Sequence, residues 1–225
     1  MPVEDERYLR PTHAIDSDHP RIRAFAEETA GGEGEPVARA VRLYYAVRDG
    51  LRYDPYSVAL DPDSLRASVV LESGRGYCVA KAVVLAAAAR AIGIPSRLGF
   101  ADVRNHLATP RLLQMMGTDI FYYHGYTELF LEGLWVKATP AFNVQLCEKF
   151  GVKPLEFDGR ADSIFHSFDS TGRRHMEYVL DRGVRDDVPL EELRDAMVRY
   201  YPKMTGGIGG DFHEEAGEHR VPKGL

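Results

Sequence analysis

The sequence predicts an α+β domain in which a buried central helix packs on an antiparallel sheet. Three observations carry this. Residues 78–92 are apolar almost all round, interrupted only by Lys81 and Arg90, and a helix apolar on every side belongs inside a domain. Residues 120–131 and 134–139 read as two strands around a tight turn at Glu132-Gly133. Ahead of both, Val37, Val41, Tyr44, Tyr45 and Val47 recur at helical spacing, so helices precede the sheet.

Taken in order, residues 1–17 are polar and read as a loosely attached arm. Asp18-His19-Pro20 opens a short helix to about Thr29, with proline in its first turn. Gly31 to Glu35 breaks it, and Pro36 opens the second helix. Tyr53-Asp54-Pro55-Tyr56 is a turn. The central helix stops at Gly93-Ile94-Pro95: glycine takes a left-handed position, isoleucine gives the apolar contact, and proline forbids continuation. Residues 97–102 form a short strand, and 104–119, with Met115-Met116, read as a long loop flanking the substrate cleft. Beyond the hairpin, 175–181 read as a strand. Asp187-Val188-Pro189 leads into a last helix with Leu190, Leu193, Met197 and Tyr200 on one side. The expected organisation is an arm (1–17), one domain (18–204, core 36–142) and a flexible tail (205–225).

The composition, 44% hydrophobic and 28% charged, is that of a chain with a real core, not of a disordered one. A net charge of −6 and a pI near 5.8 give no electrostatic footprint for nucleic acid or anionic lipid. The longest apolar run, 79–89, is too short to span a bilayer. The start, Met-Pro-Val-Glu-Asp-Glu, has neither basic nor apolar signal character, so the expectation is a cytoplasmic protein with reduced thiols. Cys78 and Cys147 form neither a disulfide framework nor a zinc spacing, and Cys147, His166 and His175 lack ligand spacing, so no metal or cofactor is expected.

Chemistry points to Ser73-Gly74-Arg75-Gly76-Tyr77-Cys78. Two glycines make a tight turn and place Cys78 in the first turn of the buried helix, where the dipole and backbone N–H groups favour thiolate. On position alone a small buried hydrophobe is an equal reading. Cys147, between Leu146 and Glu148, has no comparable setting and reads as structural. A cysteine nucleophile needs a base, and His124 is the best placed of eight histidines. Pairing Leu131 with Leu134 sets Glu128 opposite Lys137, an opposite-charge pair that supports this register. It puts His124, Tyr126, Glu128, Trp135, Lys137 and Thr139 on one face, and Phe121, Tyr123, Leu129 and Leu131 on the other. His124 is then opposite Ala141 and diagonal to Thr139.

Gly-Arg-Gly-Tyr-Cys78, an apolar helix, Gly-Ile-Pro-Ser-Arg97, His124-Gly-Tyr-Thr-Glu128 and Trp135-Val-Lys-Ala-Thr139-Pro140 together resemble the transglutaminase-like superfamily. That family shows Gly-x-Cys at a helix start, Gly-Ile-Pro-Ala-Arg, His-Ala-Trp-x-Glu and Trp-x-x-x-Asp-Pro. The resemblance spans roughly residues 36–142 and implies a papain-like core, with Cys78 as nucleophile and His124 as general base. Thr139 stands where the family has aspartate; its hydroxyl can orient imidazole but adds no negative charge. Asn143 is a second candidate, and the Asp158–Asp162 and Phe165–Asp169 stretches are further ones. The implied activity is cysteine-dependent acyl transfer on a peptide or protein amide, ending in hydrolysis or transamidation. The alternative is a catalytically reduced peptide-binding module of the same fold.

Overall fold

The structure is a computed structural model that describes residues 3–32, 34–106, 108–164, 176–204 and 210–218. In chain order its elements are α1 (Pro20–Ala30), α2 (Pro36–Gly50), β1 (Arg52–Tyr53), α3 (Ala67–Ser73), β2 (Arg75–Gly76), α4 (Cys78–Ala91), β3 (Ser96–Asn105), α5 (Pro110–Met116), β4 (Ile120–Leu131), β5 (Leu134–Ala138), α6 (Val144–Phe150), β6 (Met176–Arg185), α7 (Leu190–Tyr200) and α8 (Phe212–Glu218). The fold is α+β, helices packed on a four-stranded antiparallel sheet of order β5-β4-β3-β6. No helix among the described residues is long and apolar enough to cross a membrane.

α4 is the centre. Every residue from Cys78 to Arg90 is buried, and α4 packs against α1, α2 and α3 as well as against β3 and β4. Burying Lys81 and Arg90 works because their donors are used: Lys81 Nζ donates to the carbonyls of Arg48 and Leu51, at 2.8 and 2.7 Å. Arg90 donates to the carbonyls of Ser96, Arg10 and Asp186. Burial still pushes the Lys81 ammonium down to about 7. The predicted helix stop holds, with Gly93 at φ +81° and the Ile94 N–H returning to the Ala89 carbonyl at 2.9 Å.

The hairpin register is the one predicted, Leu131 on Leu134 and Glu128 on Lys137. The ion pair is not. The Glu128 carboxylate accepts from Arg97 of β3 at 2.6 Å, and the Lys137 ammonium lies over the Tyr126 ring instead. The predicted alternation fails ahead of His124. Ala101 pairs with His124 but Val103 with Phe121, so β4 carries one extra residue, and Tyr123 takes φ +55°. Phe121, expected opposite His124, is thereby brought to the same side.

Three other expectations change. The stretch 104–119 is not one loop: β3 runs on to Asn105, and α5 is capped by Thr109 Oγ1, which accepts from the Leu112 N–H at 3.2 Å, and ended by Gly117. The N-terminal segment is anchored, since Ile15 is fully buried and Tyr8 packs edge-on against Trp135. Part of the expected tail is helix α8, whose Phe212 enters a cluster with Tyr53, Tyr56 and Phe150. The Glu215 carboxylate of α8 accepts from the Tyr56 hydroxyl at 2.6 Å.

Candidate active site

α3 ends at Gly74, β2 pairs in parallel with β1, and Tyr77 in extended conformation precedes Cys78, the first residue of α4. The nucleophile candidate is therefore delivered by a turn that is tied down on both sides. It is met by β4, which can approach because residue 125 is glycine. A Cβ on Gly125 would lie 2.9 Å from the Val79 Cα, a contact that backbone cannot relieve cheaply. Burial pushes the Cys78 thiol up to about 11, although the N–H groups of Gly125, Val79 and Cys78 itself pull the other way. The helix start was expected to lower it. The correction is one of magnitude: the dipole acts on a sulfur that is almost wholly removed from water.

His124 is 2% exposed, and burial pushes its imidazole down to about 4. Burial thus favours the uncharged form of each group, a thiol and an imidazole that line the same cleft. The bulge that aims His124 is held from below by Asp102, a residue the sequence did not single out. Its carboxylate accepts from the Tyr123 N–H at 3.1 Å and from Arg182 of β6 at 2.6 to 3.1 Å. The Arg182 guanidinium also lies 4.8 Å from the centre of the Tyr123 ring.

Thr139 and His124 line one small cavity with Ala141 and Phe142. This does not come from strand pairing, because β5 ends at Ala138 and the Thr139 N–H turns to the Ser163 carbonyl at 2.8 Å. The buried Thr139 hydroxyl has no hydrogen-bond partner among the described residues. Asn143 is turned elsewhere: its amide oxygen accepts from the Tyr53 N–H at 3.2 Å and its amide nitrogen donates to Gln145 at 2.6 Å. Asp158 is exposed and caps the turn at Arg160 and Ala161, and Asp162 accepts from the Lys137 N–H. The Phe165–Asp169 stretch, His166 and His175 lie outside the described residues. Cys147 is fully buried on α6, its thiol pushed up to about 12 by burial.

A cleft of about 70 Å³ opens on Cys78 and His124. β4 contributes Phe121 and Tyr122, α5 contributes Leu112 and Met116, and α7 contributes Leu193 and Met197. The stretch expected to flank the cleft thus supplies part of its wall, through a helix instead of a loop. α7 is fastened over the bulge, as Glu192 accepts from Arg185 at 3.0 Å and from the Tyr123 hydroxyl at 3.2 Å.

Among curated proteins, none shows significant sequence similarity to the chain. Among solved structures, the chain is similar to a "putative cysteine protease" from Cytophaga hutchinsonii, with 14% identity and a TM-score of 0.50 over 82% of this chain and 55% of that one. A second, a "putative protease" from Parabacteroides distasonis ATCC 8503, gives 16% identity and a TM-score of 0.39 over 63% of this chain and 26% of that one. The chain thus spans about half the length of the first and a quarter of the second. Residues 23–140, just over half the chain and running from within α1 to Pro140, match the family described as Transglutaminase-like superfamily. The chain belongs to the transglutaminase-like superfamily.

Proposed function

We propose that the protein is a cysteine-dependent acyl-transfer enzyme acting on an amide bond of a peptide or protein. The observation that carries this reading is that Cys78, at the start of the buried helix, and His124, on the facing strand, line the same cleft. Starting from the neutral pair, the Cys78 proton passes to His124 as sulfur attacks the amide carbonyl. A backbone N–H at the helix start helps hold the oxyanion. His124 then gives its proton to the departing amine as the C–N bond breaks, leaving a thioester on Cys78. Water or a second amine resolves it, with His124 again taking the proton. The Thr139 hydroxyl, unpartnered at rest on the small cavity it shares with His124, accepts from the imidazolium N–H once the proton has moved.

A second reading, a peptide-binding module without turnover, is favoured by one feature. The position of the family's aspartate holds an uncharged threonine, and burial favours the uncharged form of both chemical partners. An electrophilic amide probe separates the two. The enzyme should take one acyl group per chain, mapped to Cys78 and abolished in Cys78→Ala and His124→Gln. Reversible binding of the probe without a covalent adduct would replace the enzyme by the module.

A further inference from the structure

Among the described residues, the cleft wall contains no Asp, Glu, Lys or Arg side chain. The chain is 28% charged, so a charge-free surface of this extent beside the nucleophile is a feature in need of a cause. One cause is α7, which lies outside the matched family region and turns its apolar side, Leu193, Ala196 and Met197, into the cleft. It sends its charges elsewhere: Glu192 to Arg185, and Arg194 to the Leu60 carbonyl at 2.9 Å. A charged substrate side chain entering there would lose its water and find no partner.

We propose that the cleft selects acyl donors with an uncharged apolar side chain, aromatic or branched aliphatic, which Leu112, Met116, Leu193 and Met197 would surround. This rests on the acyl-transfer reading and names its substrate class.

The test uses the full chain and N-acetyl aminoacyl chloromethyl ketones of Phe, Leu, Gln, Asp and Lys. Alkylation of Cys78 is followed by intact mass and peptide mapping. Phe and Leu should exceed Asp and Lys by at least roughly 30-fold in kinact/KI, the worth of burying one apolar side chain. Met197→Asp, a half-buried position on the inner side of α7, should lower Phe roughly tenfold and raise Lys. Val198→Asp, 69% exposed on the outer side, should leave the order unchanged. Comparable labelling by all five ketones, or preference for Asp or Lys, overturns the substrate class and leaves acyl transfer standing. Iodoacetamide modification of Cys78 with no labelling by any ketone overturns both this proposal and the acyl-transfer reading.

Discussion

Asp102→Asn tests whether the ion pair beneath the β4 bulge keeps His124 in place. Asp102 is 2% exposed and serves two donors, the Tyr123 N–H and the Arg182 guanidinium. Asparagine keeps the volume and one acceptor oxygen, so no cavity opens and the backbone bond can survive. What is lost is the charge facing Arg182. Removing one partner of a fully buried pair costs roughly 3–5 kcal/mol. Here the Arg182 side chain is 23% exposed, so water takes over part of its solvation and the cost is smaller. About 2 kcal/mol, within the ~1.5–3 of a hydrogen bond to a charged group, is the working figure. In a chain of this size that is a fall in Tm of roughly 4–8 °C. Asp102→Ala also orphans the Tyr123 N–H and should lose roughly 1–3 kcal/mol more.

The kinetic effect follows from the bulge. Tyr123 holds a left-handed conformation that costs a non-glycine residue roughly 1–2 kcal/mol, and Asp102 bonds to that residue's own N–H. A weaker anchor lets the strand relax toward regular pairing, which moves His124. A shift near 1 Å at a reacting group is worth ~100-fold in rate. The assay is a thermal melt together with Cys78 acylation by the electrophilic amide probe, measured well below Tm. A melt identical to wild type would show the ion pair to be inert. A lowered melt with an unchanged acylation rate would show that Asp102 carries stability alone and that His124 is aimed by other contacts.

Thr139→Val keeps the shape and removes the unpartnered hydroxyl; it should lower acylation at least tenfold while leaving Tm unchanged or higher. Asn143→Ala should cost Tm more than rate, because its amide is spent on Tyr53 and Gln145, and a dead Asn143→Ala beside a normal Thr139→Val reverses the assignment. Iodoacetamide should modify Cys78 faster than the fully buried Cys147, with a rate still rising above pH 9, as a thiol near 11 requires; a plateau below pH 8 refutes the neutral resting pair. For His124, whose folded value near 4 is lowered from 6.5, the unfolded chain binds a proton below pH 6.5 that the native imidazole refuses. Stability should therefore fall as pH drops from 6.5 to 4, by up to roughly 3 kcal/mol from this group, and His124→Gln should flatten that part of the profile; parallel profiles refute it. Gly125→Ala should push β4 off α4 and abolish acylation, and a normal rate would mean that the close approach to Val79 is not needed.

What could be read from the chain was local. Gly93-Ile94-Pro95 ends α4 because each residue acts on its own backbone, and Glu132-Gly133 closes the hairpin for the same reason. The register came out right although its supporting reason was only half right. Glu128 does face Lys137, but Arg97 on the neighbouring strand outcompetes it for the carboxylate, and no pairing argument confined to one hairpin includes β3. Helix α5 was also locally written, in Thr109-Pro110 and Gly117, and was missed because the polar surroundings and the Met pair drew attention to a loop.

The site divides along the same line. Cys78 and His124 stand out because a glycine turn before a helix and a histidine on a strand are marks a short stretch can carry. Asp102 carries no such mark. It matters only because β3 lies between β4 and β6, so that one carboxylate can reach the Tyr123 N–H on one neighbour and Arg182 on the other. Strict alternation likewise put Phe121 on the wrong side, since nothing in Tyr122-Tyr123 announces a left-handed residue. The protonation state of the pair is the furthest from local reading. A helix dipole acts on Cys78 through the first turn of α4, which the sequence displays. Desolvation acts on it through everything packed around it, from Tyr53 to Tyr201, more than a hundred residues apart, and the larger of the two effects is the one that no window of sequence contains.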